Sequence, residues 1–291
     1  KSLKKIYFTT SFYNKSLVSK TPQQFYFHPN PSLLSLISNF KKYSFKISEI
    51  DSNIFWLKQK NFQKEKEVHT FLWLNLIDRK NDGKAIQKII NSWMMKNSEY
   101  KRNFWESTVL SKRIISWLLN VDIILNNELF EFKRSFLISI ISQTNHLKKN
   151  IKFEKDYSKR VEILTALLLS GLVFREYIEN YHISIKELEK LIKNYFDQDG
   201  FPFTRNPNDL VFFTKYLILC RECIKDAQQY VPEFLEEIIK KNLNCIKFIL
   251  TPNDQVPLFN GGTEKNLTEL NKFINDFNKV SSEKKNIVGG I

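Results

Sequence analysis

Cysteine is scarce in this chain of 291 residues, and its three copies exclude one class of small proteins. So few cysteines, in an odd number, cannot build a disulfide framework. Cys220 and Cys223 form a C-x-x-C pair, but the flanking residues are apolar, and neither a Gly- or Pro-containing loop nor a second Cys or His pair lies nearby. We therefore interpret both as buried helix cysteines, and the sequence predicts neither a metal site nor a cofactor.

Long apolar runs are also missing. The longest, ALLLSGLVF at 166–174, is about half as long as a membrane-spanning helix, so the sequence predicts no membrane span. The first residues, KSLKKIYFTTSFYN, contain neither the apolar core nor the small-residue cleavage site of a secretory signal. Because the chain begins with Lys1 and not with Met, removal of a leader by processing stays open.

Acidic residues are few relative to basic ones. The chain has 31 Asp and Glu against 45 Lys and Arg, a net charge of +14. Such a surface attracts polyanions, which include nucleic acid, acidic polysaccharide and anionic lipid. A second explanation stays open, because Lys, Asn, Ile and Phe are all abundant, and biased residue usage raises the Lys count without any polyanionic partner. The cations are scattered over most helical segments instead of gathering on one face, which argues against nucleic acid.

The spacing of apolar residues divides the chain into three parts. Residues 1–55 are polar and aromatic and include three prolines, which predicts an N-terminal arm that wraps around the rest. Residues 56–250 contain about eight segments with apolar residues at i, i+3, i+4 and i+7, the spacing of helices, and hardly a credible strand. Residues 251–291 predict a loop, one helix at about 264–278 and a polar linker. No fixed period relates the helices, so the prediction is an all-α fold of helix pairs, either a bundle or an α/α toroid.

Five short motifs stand in a fixed order along the helical part. They are HTFLWL (69–74), FWESTVLSKRIISWLL (104–119), SQTNHL (142–147), DGFPFTRNP (199–207) and PLFNGG (257–262). Together they resemble the heparinase II/III-like polysaccharide lyases, in the branch found in alphaproteobacteria, over roughly residues 50–265. No single motif would be sufficient for this identification.

The resemblance implies a fold, an activity and a partner. The fold is an incomplete α/α toroid, with the family's usual C-terminal β-sandwich absent from this chain. The activity is that of a carbon–oxygen lyase that cleaves an acidic polysaccharide, such as a glycosaminoglycan or alginate, by β-elimination. The implied location is the periplasm or cell envelope, although the missing signal leaves the cytoplasm open. The alternative is a non-catalytic helical module that binds acidic glycan or nucleic acid.

β-Elimination at a uronic acid needs three groups. One neutralises the carboxylate, one takes the C5 proton, and one protonates the leaving oxygen. By the resemblance, Asn145 holds the carboxylate and His146 acts as base or acid, since an Asn-His pair at the end of a toroid helix faces the cleft in relatives. The alternative is that both residues merely cap a helix end.

The turn DGFPFTRNP raises a second candidate. Arg205, Asn206 and Pro207 match a family pattern in which a catalytic Tyr follows two residues later, but Asp209 occupies that position here. Arg205 is predicted to bind a uronate or sulfate group with two hydrogen bonds, and Asn206 to contact substrate or to cap the next helix. Without the Tyr, either another group takes the proton or the protein binds glycan and cleaves it poorly.

Aromatic residues beside cations complete the candidate set. Trp105 and Arg113 share one helical face and predict a sugar-binding platform, whereas Trp117 is interpreted as core. His69 and Trp73, four residues apart in a predicted helix, are further substrate-binding candidates, with core packing as the alternative. Further candidates lie in the PLFNGG loop, which is interpreted as a cleft rim or the seat of a β-sandwich: Phe259, Asn260 and a Gly pair that permits unusual backbone angles.

Overall fold

The computed structural model describes residues 6–38, 66–101, 103–126 and 130–251, and beyond these residues 256–257, 260, 267 and 270–274. Within these ranges the chain folds into α-helices joined by short 3₁₀ turns, and it forms no strand beyond one isolated bridge between Phe196 and Pro202. The helices are α1 (Ser11–Leu17), α2 (Gly83–Asn97), α3 (Ser107–Leu119), α4 (Val121–Leu125), α5 (Phe130–Asn150), α6 (Tyr157–Val173), α7 (Ile178–Tyr195), α8 (Pro207–Asp226) and α9 (Glu233–Ile249).

The centre of the helical part is α6. Every residue from Val161 to Val173 is buried, as expected for a helix that is apolar on all sides. It packs against α3, α7 and α8, while α8 also packs against α9. Gly171 sets the distance to α7, because a Cβ atom there would lie 2.4 Å from the backbone nitrogen of Tyr181. By contrast, α7 and α9 are amphipathic and bury only one face.

Two predicted helices differ from the structure. The apolar spacing of residues 67–79 predicts one continuous helix, and this prediction is wrong: Phe71 has a positive φ of 58°, and the chain continues as a 3₁₀ helix at Leu72–Leu76. The spacing of residues 107–125 also predicts one helix, which is divided at Asn120 into α3 and α4. In both segments apolar spacing continues across the break, so periodicity alone does not reveal it.

The N-terminal segment, residues 11–28, follows α5 from its C-terminal end toward its N-terminal end. Lys149 donates to the backbone oxygen of Ser16, and Lys133 lies over the ring of Phe25. Beyond α5, the His28 imidazole contacts the carboxylate of Asp122. The segment therefore covers one side of α5.

Two expectations about composition can be compared with the described residues. Cys220 and Cys223 are buried within α8, and Cys245 is buried within α9, so the interpretation of buried helix cysteines is confirmed. None of the helices in the described ranges has the length and apolar character needed to cross a membrane. The predicted helix at 264–278 lies mostly outside the described residues. The described part of it, residues 270–274, is helical.

Candidate functional site

The predicted catalytic pair lies near the C-terminal end of α5, beneath the N-terminal segment. His146 is 5% exposed, and its Nδ1 shares a hydrogen bond of 2.8 Å with the hydroxyl of Tyr13. The rings of Phe8, Tyr100 and Trp105 surround the imidazole, with centroids 5.1 to 5.5 Å away. His146 is therefore enclosed on several sides by aromatic side chains.

Asn145 contacts the same segment. Its side-chain amide donates to the backbone oxygen of Leu17 at 2.8 Å and to the Ser19 hydroxyl at 2.9 Å. Burial raises the pKa of Tyr13 to about 12, so the phenol above His146 stays neutral at ordinary pH. In this arrangement Asn145 anchors the N-terminal segment, and His146 has no open path to a polysaccharide.

Arg113 lies in the interior and does not form the predicted sugar-binding platform. Its guanidinium is fully buried and lies 4.2 Å from the ring centre of Trp93. Its three nitrogens donate to the Gln143 side chain at 2.7 Å and to the backbone oxygens of His69 and Phe104 at 3.0 and 2.8 Å. Each of its three nitrogens thus helps to join α3 to α5 or to the segments around residues 69 and 104.

His69 belongs to the same buried cluster. Its Nδ1 accepts a hydrogen bond of 2.8 Å from the indole of Trp93, and its ring stacks on Phe104 with centroids 3.7 Å apart. Burial, and to a smaller extent the charge of Arg113, lowers the pKa of His69 to about 3. The imidazole is therefore neutral and structural.

The candidate tryptophans are also interior residues. Trp105 and Trp73 are 2% and 4% exposed. The Trp73 indole donates to the backbone oxygen of Val68, whereas within the described part of the chain the Trp105 indole N–H has no acceptor. Trp117 is fully buried, which confirms its interpretation as core. No tryptophan of this set presents a face that could stack on a sugar.

The turn between α7 and α8 brings Arg205 and Asn260 together, as a shared site would require. Arg205 has a φ of +55°, which is costly for a residue with a side chain, and its backbone oxygen accepts from the Asn260 amide at 3.1 Å. Asp197 organises the turn, because one carboxylate oxygen accepts from the N–H groups of Asp199 and Phe201 and the other pairs with Nη1 of Arg205.

The Arg205 side chain keeps donors available. It is 35% exposed, and among the described residues no acceptor lies within hydrogen-bonding distance of its Nε or Nη2. Asn206 acts as the N-cap of α8, since its side-chain oxygen accepts from the N–H of Asn208. Asp197 therefore orients the guanidinium without using all of its donors, and Asn206 fixes where the next helix begins.

Asp209, predicted from the resemblance to occupy the position of a family Tyr, closes the turn. It accepts hydrogen bonds from the Tyr195 hydroxyl at 2.9 Å and from the Thr204 hydroxyl at 2.7 Å. Burial, together with the neighbouring carboxylate of Asp209, raises the pKa of Tyr195 well above its ordinary value. Tyr195 thus contacts this position directly, but its surroundings oppose the phenolate that proton abstraction would need.

Two exposed aromatic residues beside the turn were missed by the sequence interpretation. Tyr157 and Phe203 are 37% and 58% exposed. They meet at Tyr195, since the Tyr157 ring lies 5.0 Å from the Tyr195 ring and the Phe203 N–H donates to the Tyr195 backbone oxygen. We call Tyr157, Phe203 and Arg205 the rim surface. The available signal was aromatic residues inside polar connectors, in IKFEKDYSK and DGFPFTRNP.

Comparisons with known proteins agree on one family and one fold. The model of the heparinase II/III N-terminus matches residues 51–288. The crystal structure of heparan sulfate lyase HepC from Pedobacter heparinus covers 88% of this chain at 16% identity, with a TM-score of 0.61. A heparinase III gene product of known structure covers 86% at 14% identity, with a TM-score of 0.63. A search of curated protein sequences found no significant match.

The structural likeness concerns the fold. The chain spans 45% and 44% of the lengths of these two solved structures. At such low identities the match establishes architecture and no individual site. The prediction of an all-α, incomplete α/α toroid is confirmed.

Proposed function

Because the chain belongs to the heparinase II/III N-terminus family, we propose that it is the substrate-binding toroid of a lyase that cleaves uronic-acid-containing polysaccharide by β-elimination. The shared fold with a heparan sulfate lyase and the net charge of +14 both support an acidic glycan as partner. Such polysaccharides are found outside the cytoplasm, so the proposed location is the periplasm or cell envelope.

The rim surface is the observation that carries this proposal. It combines an oriented guanidinium with two available donor groups and two exposed aromatic rings. A guanidinium binds a carboxylate or sulfate with paired, charge-assisted hydrogen bonds, while aromatic faces cover the apolar faces of sugar rings. The strained backbone at Arg205 supports the same reading, because strain of this kind is concentrated at functional positions.

The remaining candidates of the turn act as positioning residues. Asn260 holds the backbone of Arg205 through a hydrogen bond to its carbonyl oxygen, and Asn206 caps α8. Each can fix the direction of the Arg205 side chain without contacting the sugar. Their proposed role is therefore to preserve the geometry of the rim surface.

The proton-transfer step is proposed for Asn145 and His146, and it requires a rearrangement. Tyr13, Leu17 and Ser19 hold both side chains beneath the N-terminal segment, so α1 has to move away from α5 before a uronate can reach them. Substrate binding at the rim surface needs no such movement.

A glycan-binding module without catalytic activity is the second candidate. It is supported by the predicted replacement of the family's Tyr by Asp209, and by the raised pKa of Tyr195, which disfavours that residue as a substitute base. Activity separates the two candidates, since a lyase releases an unsaturated product that absorbs light at its new C4–C5 double bond. Full-length protein that binds uronate oligosaccharide and releases no such product would be the binding module.

Binding at the rim surface is tested with Arg205→Ala and Tyr157→Ala. We expect each to weaken the affinity for a heparan sulfate hexasaccharide by at least about tenfold, or roughly 1.4 kcal/mol, measured by calorimetry. The matched controls are Arg175→Ala and Tyr230→Ala, which remove an exposed Arg and an exposed Tyr elsewhere. Equal losses in variants and controls, or losses of thermal stability without any change of affinity, would reject the rim surface as the binding site.

A further inference from the structure

A positively charged concavity is lined by none of the rim-surface residues. It is an open pocket of about 540 Å³ between the start of α2, the end of α4 and the start of α5. Phe132 lines it, whereas His146 lies fourteen residues further along α5, which corresponds to about 21 Å of helix. The pocket is therefore separate from the predicted catalytic pair.

Four cations line this pocket, and we call Arg79, Lys80, Lys84 and Lys88 the basic pocket. Lys84 and Lys88 are four residues apart on α2 and so share one helical face. No carboxylate is among the described residues that line it. Four like charges around one concavity repel each other, and an anionic ligand relieves that repulsion.

Three carboxylates flank the pocket, and the charges of Asp122 and Asp78 act on its cations Arg79 and Lys80. Asp78 accepts from the N–H of Lys80 and from the Asn81 side chain, and Asp82 accepts from the N–H of Asp78. Asp122 contacts the imidazole of His28. These acids organise the loop before α2 and the attachment of the N-terminal segment, and none of them forms an ion pair with Lys84 or Lys88 among the described residues.

The floor of the pocket is held in place by hydrogen bonds. The Gln87 amide donates to the backbone oxygens of Ile123 and Asn126 at 3.3 and 2.9 Å, which fixes α2 against the end of α4. Arg79 donates to the side-chain oxygen of buried Asn120 at 2.7 Å. The site is thus preformed, which lowers the entropic cost of binding.

We propose that the basic pocket is a second binding site for acidic polysaccharide, which holds sulfate or carboxylate groups of a chain that also binds at the rim surface. This inference rests on the proposed function. Its volume suits a ligand of about disaccharide size, and the amides of Asn81 and Asn91 at its wall match sugar hydroxyl groups. Phe132 is buried, so the described lining offers no exposed aromatic ring for the base stacking that single-stranded nucleic acid uses.

The test uses the double variant Lys84→Gln/Lys88→Gln and counts bound ligand. The charge-matched control is Lys190→Gln/Lys193→Gln, which removes two exposed lysines from α7. The probe is a heparan sulfate tetrasaccharide, titrated into the whole chain by calorimetry. We expect about two tetrasaccharides per wild-type or control chain and about one per chain for the pocket variant. Arg205→Ala is also expected to bind about one.

The outcomes separate this inference from the proposed function. Loss of one ligand in the pocket variant but none in Arg205→Ala supports the basic pocket and rejects the rim surface. The reverse result overturns the basic pocket and leaves the rim surface standing. An equal loss in the control, or tighter pocket binding of a twelve-nucleotide single-stranded DNA than of the tetrasaccharide, also overturns the inference. A desulfated tetrasaccharide shows which anion is bound, since retained binding assigns the carboxylate and lost binding the sulfate.

Discussion

The hydroxyl of Tyr13 lies 2.8 Å from Nδ1 of His146. A residue of the N-terminal segment thus contacts a side chain that lies 133 positions further along the sequence. The same hydroxyl accepts from the Asn150 amide at 3.3 Å. The contact explains why the Asn-His motif does not open to solvent in this structure, and it makes the N-terminal segment part of the helical core.

The Tyr13 hydroxyl is expected to contribute measurably to stability. Tyr13→Phe keeps the ring in place and leaves Nδ1 of His146 buried without this partner, which costs about 1 to 2 kcal/mol. Urea unfolding measures the loss, with Tyr230→Phe as control because Tyr230 is 79% exposed. Identical unfolding curves for Tyr13→Phe and the wild type would show that the contact contributes nothing.

His69 gives the fold a dependence on acid. The folded state lowers its pKa from 6.5 to about 3, whereas the unfolded chain takes up the proton near pH 6.5. The unfolded state therefore binds more protons between these values, so stability is complete above pH 6.5 and is lost as the pH falls toward 3. At about 1.4 kcal/mol per pH unit, we expect a loss on the order of 2 kcal/mol between pH 6.5 and 5.

The variant His69→Gln isolates this effect. Gln can still accept from the Trp93 indole but does not titrate, and the carboxylates titrate alike in both proteins. The variant should therefore lose less free energy of unfolding than the wild type over the same pH range, as measured by urea unfolding at each pH. Parallel losses in the two proteins would contradict the assigned pKa shift.

Arg113 is expected to act on stability and not on glycan affinity. Arg113→Lys cannot supply three donors in the same plane, and it leaves the acceptors on Gln143, His69 and Phe104 incompletely paired in the interior. We expect a loss of about 3 kcal/mol or more in the free energy of unfolding. Arg175→Lys, at an exposed position, is the control. If Arg113→Lys kept the stability of the wild type and bound glycan more weakly, Arg113 would be a substrate-binding residue and not a structural one.

Sequence patterns predict the helices of this fold better than they predict which segments pack over the helices. Apolar spacing identifies α5 and α6, because the residues that share a buried helix face lie three and four positions apart in the sequence. The same spacing places Trp105 and Arg113 on one face but carries no information on what lies above that face. Here the ring of Trp105 meets His146 and the guanidinium of Arg113 meets Trp93, and both contacts depend on segments distant in sequence.

Sequence patterns pointed to some residues of the proposed site and missed others for a related reason. Arg205 and Asn260 belong to two motifs of one family pattern, and the structure brings them together through a hydrogen bond. Tyr157 and Phe203 escaped notice because their exposure depends on how the ends of α6 and α7 meet at Tyr195. Phe259 lies outside the described residues, as do the glycines that follow Asn260.

Two substitutions at Arg205 separate the effect of backbone strain on stability from the effect of the side chain on glycan binding. The residue holds a φ of +55°, which costs a residue with a Cβ atom about 1 kcal/mol more than glycine. Arg205→Gly and Arg205→Ala both remove the guanidinium and its ion pair with Asp197, so the two variants differ only in backbone freedom. The glycine variant should be more stable than the alanine variant by about 1 kcal/mol in urea unfolding.

Both variants should lose the same affinity for a heparan sulfate hexasaccharide, because both lack the charged donors. The pair of measurements therefore distinguishes a residue kept for its side chain from one kept for the turn. If Arg205→Gly bound the hexasaccharide as tightly as the wild type, the guanidinium would have no part in recognition, and the left-handed backbone at this position would be explained by the turn geometry alone.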